Sequence, residues 1–167
     1  ETLSRLGGGG PLVGFVPASR RDTRRWPAAS YAELGRRLRD SFGVRVLVFW
    51  GPGELELARS VSDGVGAGAH LAPQTRDLKE LSALIGRCRL LATNCNGPKH
   101  IAVARGVPTV TIHGSSDPRA WNPPDAAQHP VARLEELHCI GCRLNRCPYG
   151  LECMKNLPAE RVFHHAA

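Results

Sequence analysis

The chain has 167 residues, of which 42% are hydrophobic and 22% are charged, which is typical of a folded domain and excludes a disordered protein. A formal net charge of +7 predicts an anionic partner, and an aromatic content of only 5% disfavours nucleic acid. Because the sequence has neither an apolar run of roughly 20 residues nor a charged-then-apolar leader, we expect a cytoplasmic protein.

The chain begins with a predicted linker, residues 1–11, because its glycine run has no side chains to pack. A short apolar strand is expected at residues 12–16. The segment Ser30-Tyr31-Ala32-Glu33 has the pattern of a capping box, in which the serine and glutamate side chains bond to the backbone at a helix start. The helix is expected to begin there and to end at Gly43.

The alternation of strands and helices continues to residue 112. Further apolar runs predict strands at residues 44–49, near 70–71, at 89–93 and at 108–112. A helix separates each pair of strands, and one of them opens with a second capping box, Asp77-Leu78-Lys79-Glu80. Crossovers of this length predict an α/β fold, a Rossmann-like parallel sheet flanked by helices, over residues 12–137. Residues 138–167 are predicted to be a cysteine-rich segment followed by a C-terminal helix.

Four loops leave the carboxyl ends of the predicted strands, where parallel sheets bind ligands. They are rich in glycine, serine and basic residues and span 19–26, 51–54, 94–100 and 114–118. In the third loop, Gly97 and Pro98 open a helix, and Lys99 and His100 add a cation and an imidazole to its first turn. Positive charge is unfavourable for a helix start, so it predicts a bound anion there, with phosphate the obvious candidate.

The cysteines are concentrated near the end of the chain. Four of the six lie within 15 residues, at Cys139, Cys142, Cys147 and Cys153. Four thiolates at this spacing can close a structural zinc site, and the second gap resembles that of iron–sulfur ferredoxins. The spacing leaves disulfides and reduced thiols open as alternatives, although metal or free thiols suit a cytosolic chain better.

Four motifs, taken in order, resemble those of the ADP-heptose:lipopolysaccharide heptosyltransferases. They are Arg24-Arg25-Trp26-Pro27, Gly51-Pro52-Gly53-Glu54, Asn96-Gly97-Pro98-Lys99-His100 and Gly114-Ser115-Ser116-Asp117-Pro118. The resemblance covers residues 12–163 and implies the C-terminal, donor-binding half of a GT-B glycosyltransferase. It also implies that the acceptor half and its catalytic base precede these residues. On this resemblance the chain contains no catalytic residue and is inactive alone.

The resemblance further implies roles for individual residues. Arg24 matches the basic residue that contacts the donor phosphate, and Glu54 matches the acid that holds the ribose or base. The implied donor-binding set is Arg24, Glu54, Asn96, Gly97, Pro98, Lys99, His100, Ser115 and Asp117. The chain departs from the family where Cys95-Asn96 replaces an acid-containing pair and Lys99 replaces an apolar residue, which makes this loop more electropositive.

The motifs together predict a nucleotide-diphospho-sugar binding domain, with ADP-heptose as donor, in the synthesis of lipopolysaccharide or a related glycan. The cations and helix amides would stabilise the diphosphate leaving group, so no cofactor is required for transfer. The implied partners are the ADP-sugar and, through the acceptor half, a glycolipid or glycan, with peripheral association at the inner face of the inner membrane. The alternative is a non-enzymatic nucleotide- or metal-binding adaptor module.

Overall fold

The computed structural model describes residues 9–167, so most of the predicted linker, residues 1–11, lies outside the described part. The described residues form one sheet of parallel strands in the order β3-β2-β1-β4-β5-β6. These strands are β1 (Leu12–Val16), β2 (Arg45–Val48), β3 (Ala69–Leu71), β4 (Leu90–Asn94), β5 (Thr109–Ile112) and β6 (Val131–Ala132). The predicted α/β class and parallel sheet are confirmed. The sixth strand was missed because two residues are too short to carry a periodic pattern.

Helices cover both faces of this sheet. A 3₁₀ turn spans Asp22–Arg24, and the α-helices are α1 (Ala28–Phe42), α2 (Leu55–Val65), α3 (Leu78–Ile85), α4 (Gly97–Ala104), α5 (Pro118–Trp121), α6 (Glu152–Lys155) and α7 (Ala159–Ala166). Within residues 9–167 none of these helices combines the length and the apolar character that crossing a bilayer requires.

The predicted capping box at Ser30 is wrong, because α1 begins two residues earlier, at Ala28. Pro27 stands at the N-cap with a φ of −58°, a value that the proline ring fixes and that suits entry into a helix. Glu33, the expected box acid, forms ion pairs with Arg36 and Arg37 instead.

Other predicted helix signals are confirmed. Gly43 follows α1 in the left-handed conformation, with a φ of 63°. The side chain of Asp77 caps α3 by accepting hydrogen bonds from the amides of Lys79 and Glu80, each at 2.9 Å. Glu80 in turn accepts from the amide of Arg76 at 2.8 Å, so side chain and backbone bond in both directions at this helix start.

Two hydrophobic clusters hold the helices to the sheet. In β1, Val13 and Phe15 pack with α1, α2 and α7, whereas Leu12 and Val16 pack with α3 and α4, as the alternation of side chains along a strand requires. Residues 138–167 belong to the first cluster through Cys153, Met154, Leu157, Ala159 and Val162. The cysteine-rich end of the chain is therefore packed into the same core as the sheet.

The strand order reverses between β1 and β4. From β1 the chain proceeds outward to β2 and β3, and it then returns to the other side of β1 and proceeds outward through β4, β5 and β6. Loops leaving two adjacent strands at such a point diverge, which opens a crevice at the carboxyl ends. This crevice is where a ligand is expected in a fold of this type.

Candidate anion-binding site

A cleft of about 550 Å³ lies at this point of reversal, between the loops that follow β1 and β4. It brings together part of the predicted donor-binding set, namely Arg24, Glu54, Asn96, Gly97 and Pro98. Three of the four loops singled out in the sequence therefore meet at one cleft.

The lining of this cleft is rich in positive charge. Arg20, Arg21 and Arg24 contribute guanidinium groups, and Glu54 is the one acidic residue of the lining. The Oε2 atom of Glu54 accepts a hydrogen bond from the amide of Gly51 at 2.8 Å, which holds the carboxylate at the start of α2. Arginine is well suited to phosphate because its planar donor fork can make two parallel hydrogen bonds.

Arg24 has the strongest individual signal for a ligand. Its side chain is half-buried, and its Nε atom is buried without a hydrogen-bond partner among the described residues. Arg25, in contrast, donates to the carbonyl of Ser19 at 2.6 Å and pairs with Asp22 at 3.1 Å. Arg20 and Arg21 also line the cleft but were not among the predicted residues, although the cluster of arginines at 20–25 was the signal that could have found them.

Asn96 builds the floor of the cleft by capping α4. Its Oδ1 atom accepts from the amide of Lys99 at 3.3 Å and from the hydroxyl of Thr93 at 3.0 Å. Its Nδ2 atom donates to the carbonyl of Ala18 at 3.1 Å, which ties α4 to the loop after β1. At the neighbouring Gly97 an added Cβ would meet no atom within 4 Å, so the backbone at this helix start faces open space.

Lys99 lies outside the cleft, contrary to the role in phosphate binding that the sequence predicted. Its side chain is fully buried, and its ammonium group donates to the carbonyl of Trp121 at the end of α5. Burial lowers the pKa of this lysine. Because the helical turn carries position 99 away from the cleft, the cation holds two helices together and does not face solvent.

His100 also lies outside the cleft lining. Its exposed ring lies edge-on to Trp121, with 6.5 Å between the ring centroids. Desolvation and then the nearby charge of Lys99 lower the pKa of this imidazole. The two basic side chains that drew attention to this helix start thus both face α5.

The fourth predicted loop lies behind the cleft. The carboxylate of Asp117 caps α5 and pairs with Arg119 at 3.1 Å and with Arg143 at 2.9 Å. These hydrogen bonds, chiefly from Arg119, hold the pKa of Asp117 well below its usual range. Ser115 is buried, and its amide donates to the carbonyl of Thr23 at 3.3 Å. The structure therefore places neither residue at the cleft surface.

A buried histidine, which the sequence analysis did not single out, lies in the same loop. His113 is fully buried, and its Nδ1 atom lies 2.9 Å from the hydroxyl of Ser116. Its Nε2 atom has no hydrogen-bond partner in residues 9–167. Burial, followed by the charge of Lys99, lowers its pKa to about 4, so the imidazole is neutral at pH 7.

All six cysteines are free thiols in the structure. The Sγ atom of Cys147 accepts hydrogen bonds from the amides of Tyr149 and Leu151, both at 3.3 Å. Burial, and then the neighbouring thiols, raise the pKa of Cys153 to about 11. Across residues 9–167 no three histidine, cysteine or acidic side chains are arranged to hold a metal ion, so the predicted metal site is not formed by these positions.

The fold and the cleft define a class of protein, the α/β domains whose parallel sheet opens a ligand crevice where the strand order reverses. Comparison with known families narrows this class, because residues 1–151 match the model of glycosyltransferase family 9 (heptosyltransferase). The chain belongs to this family. This assignment confirms the resemblance.

Individual relatives agree with the family. Lipopolysaccharide heptosyltransferase 2 of Escherichia coli is 31% identical over 130 residues, which cover 74% of this chain and 36% of that protein. The solved structure of E. coli ADP-heptose lps heptosyltransferase II superposes with a TM-score of 0.79 at 23% identity, covering 99% of this chain and 48% of that one. E. coli heptosyltransferase WaaC with ADP-2-deoxy-2-fluoro heptose gives a TM-score of 0.71 at 23% identity, covering 98% of this chain and 45% of that one. The chain thus spans less than half the length of the relatives it matches.

Proposed function

We propose that this chain is the donor-binding domain of a heptosyltransferase and that its donor is ADP-heptose. The observation that carries this proposal is the arginine-lined cleft at the carboxyl ends of β1 and β4, with the amino end of α4 at its floor. A diphosphate fits such a site because guanidinium groups and a helix start both favour anions. Support for the nucleotide comes from the heptosyltransferase of like fold that was solved with an ADP-heptose analogue.

In this mechanism the cleft serves the leaving group. Arg24, with Arg20 and Arg21, balances the charge that develops on ADP as the bond from the sugar to the diphosphate breaks. Glu54, already oriented by Gly51, is placed to accept hydrogen bonds from the ribose or base. The acceptor hydroxyl attacks the sugar and loses its proton to a base supplied from outside these 167 residues. The transfer step itself needs no metal.

The acceptor and the cellular location follow from the same proposal. The acceptor is a lipopolysaccharide precursor or a related glycan, in line with the names of the curated relatives. Because an ADP-sugar is a cytoplasmic metabolite and such an acceptor is a glycolipid, the enzyme works in the cytoplasm, at the inner face of the inner membrane. The net charge of +7 suits such an anionic surface.

Titration calorimetry with nucleotides tests the donor assignment. The chain should bind ADP and ADP-sugars more tightly than UDP, GDP or their sugars, since the rest of the enzyme is not needed for the cleft to form. Binding of NAD alone, or equal binding of every nucleoside diphosphate, would contradict the assignment of an ADP-sugar.

Replacement of Arg24 tests the phosphate contact. Arg24→Ala should weaken ADP binding at least tenfold, because a hydrogen bond to a charged group contributes roughly 1.5–3 kcal/mol. Lys99→Met is the matched control, since it removes a neighbouring cation that lies outside the cleft while keeping an unbranched apolar stem. It should leave the ADP dissociation constant within about twofold of wild type. Equal losses in the two variants would refute the separation of their roles.

We further propose that Cys139, Cys142, Cys147 and Cys153 bind one structural metal centre, either zinc or an iron–sulfur cluster. Support comes from their spacing, from their free thiols and from the two amide donors on Cys147, which would stabilise a thiolate. The sulfurs have to move together to complete the site, because their positions in the described residues form no ligand set. Such a centre would be structural and would take no part in transfer.

Metal analysis of protein purified without chelator tests this centre. The wild-type chain should carry about one zinc ion or one iron–sulfur cluster, as expected for a closed four-cysteine site. Cys142→Ser should lose it, whereas Cys88→Ser, a change at a buried cysteine on the other face of the sheet, should retain it. Metal below about half an equivalent in the wild-type chain would refute the proposal.

A further inference from the structure

The cysteine segment, residues 138–157, packs directly against the loop that follows β5. The amide of Gly141 donates to the carbonyl of Gly114 at 3.0 Å, and the amide of Arg143 donates to the carbonyl of Ser115 at 2.6 Å. Cys153 and Met154 are buried beneath the same loop. The segment therefore has a fixed register against Gly114 and Ser115.

The opposite side of this loop supports the wall of the donor cleft. The amide of Ser115 donates to the carbonyl of Thr23, one residue before Arg24. A Cβ added at Gly114 would lie 3.0 Å from both Cys153 Sγ and Thr23 O, and closer still to Met154 Sδ. An added Cβ would approach Met154 Sδ more closely than real Cβ atoms do and would press tightly on Thr23 O, so the cysteine segment and the turn that carries Arg24 pack closely across Gly114.

The segment also contacts Trp26, which follows Arg24 and Arg25 in the chain. The indole Nε1 of Trp26 donates to the carbonyl of Leu157 at 3.0 Å, so the segment reaches this turn directly at Trp26 and, through Ser115, at Thr23. Within the turn, Thr23 Oγ1 and Arg24 Nε are buried without hydrogen-bond partners in the described residues, as is Ser115 Oγ. The side chains of Thr23 and Arg24 are therefore held by packing from behind, whereas Arg25 is held by its bonds to Ser19 and Asp22.

We infer that the cysteine segment is a positioning element of the donor cleft, which holds Arg24 at the phosphate through Gly114, Ser115 and Thr23. This inference rests on the proposed function. Gly114 and Cys153 lie outside the cleft lining and act through Arg24. Donor affinity therefore depends on the packing of a segment whose cysteines lie outside the cleft.

A double-mutant cycle tests the inference. Gly114→Ala should weaken ADP binding at least fivefold in calorimetry, because the new Cβ presses on Met154 on one side and on Thr23, the neighbour of Arg24, on the other. In the Gly114→Ala/Arg24→Ala double variant, ADP affinity should be within twofold of that of Arg24→Ala alone. Gly114 acts on ADP binding only through Arg24, so its replacement has no further effect once Arg24 is removed. Wild-type affinity in Gly114→Ala, or multiplication of the two effects, would overturn the inference.

Gly35→Ala supplies the matched control. Its Cβ would clash with Val65 between α1 and α2, so it should lower the melting temperature and leave ADP affinity within twofold. If Gly114→Ala fails to fold, Met154→Ala replaces it in the test. Met154→Ala should weaken ADP binding at least threefold in the otherwise wild-type chain and should cause no further loss in the Arg24→Ala variant. An unchanged affinity in that variant would likewise overturn the inference.

Hydrogen exchange without ligand separates this inference from the proposed function. Gly114→Ala should increase amide exchange in residues 19–26 and at Ser115, whereas Gly35→Ala should not. If the wild-type chain fails to bind ADP, the proposed function fails, and the exchange result still decides whether the segment positions the turn. Unchanged exchange in both regions would refute the positioning role by itself.

Discussion

Trp26→Ala should cost about 4 kcal/mol in the free energy of unfolding, the largest effect expected of a single substitution in this chain. The indole is fully buried and packs edge-on against Tyr31, with 4.9 Å between the ring centroids. Removal leaves a cavity in the core and also deprives the carbonyl of Leu157 of its donor. The backbone amide of Trp26, which donates to Asn94 Oδ1 at 3.1 Å, remains.

Urea denaturation and thermal melting measure this loss. The melting temperature should fall by roughly 10 °C, as expected for about 4 kcal/mol in a domain of this size. Trp121→Ala is the control, because it is the same change at a ring that is 49% exposed, and it should alter stability by less than about 0.5 kcal/mol. Similar losses in the two variants would show that burial of Trp26 does not carry the effect.

The family motif around Trp26 thus combines two roles. Arg24 lines the cleft, whereas Trp26 is buried in the core and Pro27 stands at the start of α1. By resemblance, the motif implied the phosphate contact of Arg24. It could not predict that the cysteine segment, more than 100 residues further along the chain, would complete the burial of Trp26.

The fold was predictable because its signals are local. Apolar runs and a glycine stop identified β1 and the end of α1, and Asp77 identified the start of α3. The error at Ser30 arose because Pro27 and the buried Trp26 fix the chain before the serine is reached. β6 was missed for a similar reason, since a strand of two residues exists only through its pairing with β5.

The site was less predictable than the fold, because side-chain direction depends on tertiary packing. The loop containing Asn96 and Gly97 was placed correctly at the cleft. Lys99, three residues along, was expected to face the same anion, yet the helix turns it into the interior. No pattern in the sequence states that Trp121 offers a carbonyl there, so this contact could not have been anticipated.

Acid should destabilise the domain through His113, and this is the second large effect we expect. The folded state holds its pKa at about 4, whereas an unfolded histidine titrates near 6.5. Between these values the unfolded chain binds a proton that the folded chain does not, so stability falls as the pH falls from about 6.5 to about 4. The loss at pH 4 is about 3 kcal/mol from this one group.

His113→Asn isolates this contribution, because it removes the titrating group and keeps a polar partner for Ser116. The free energy of unfolding, measured in urea from pH 7.5 to pH 4, should fall more steeply in wild type than in the variant. The difference should develop below pH 6.5 and approach about 3 kcal/mol near pH 4. If the free energy of unfolding depends on pH equally in wild type and variant, the assignment is contradicted. Only this difference in pH dependence reports the titration of His113, whatever the absolute stability of the variant.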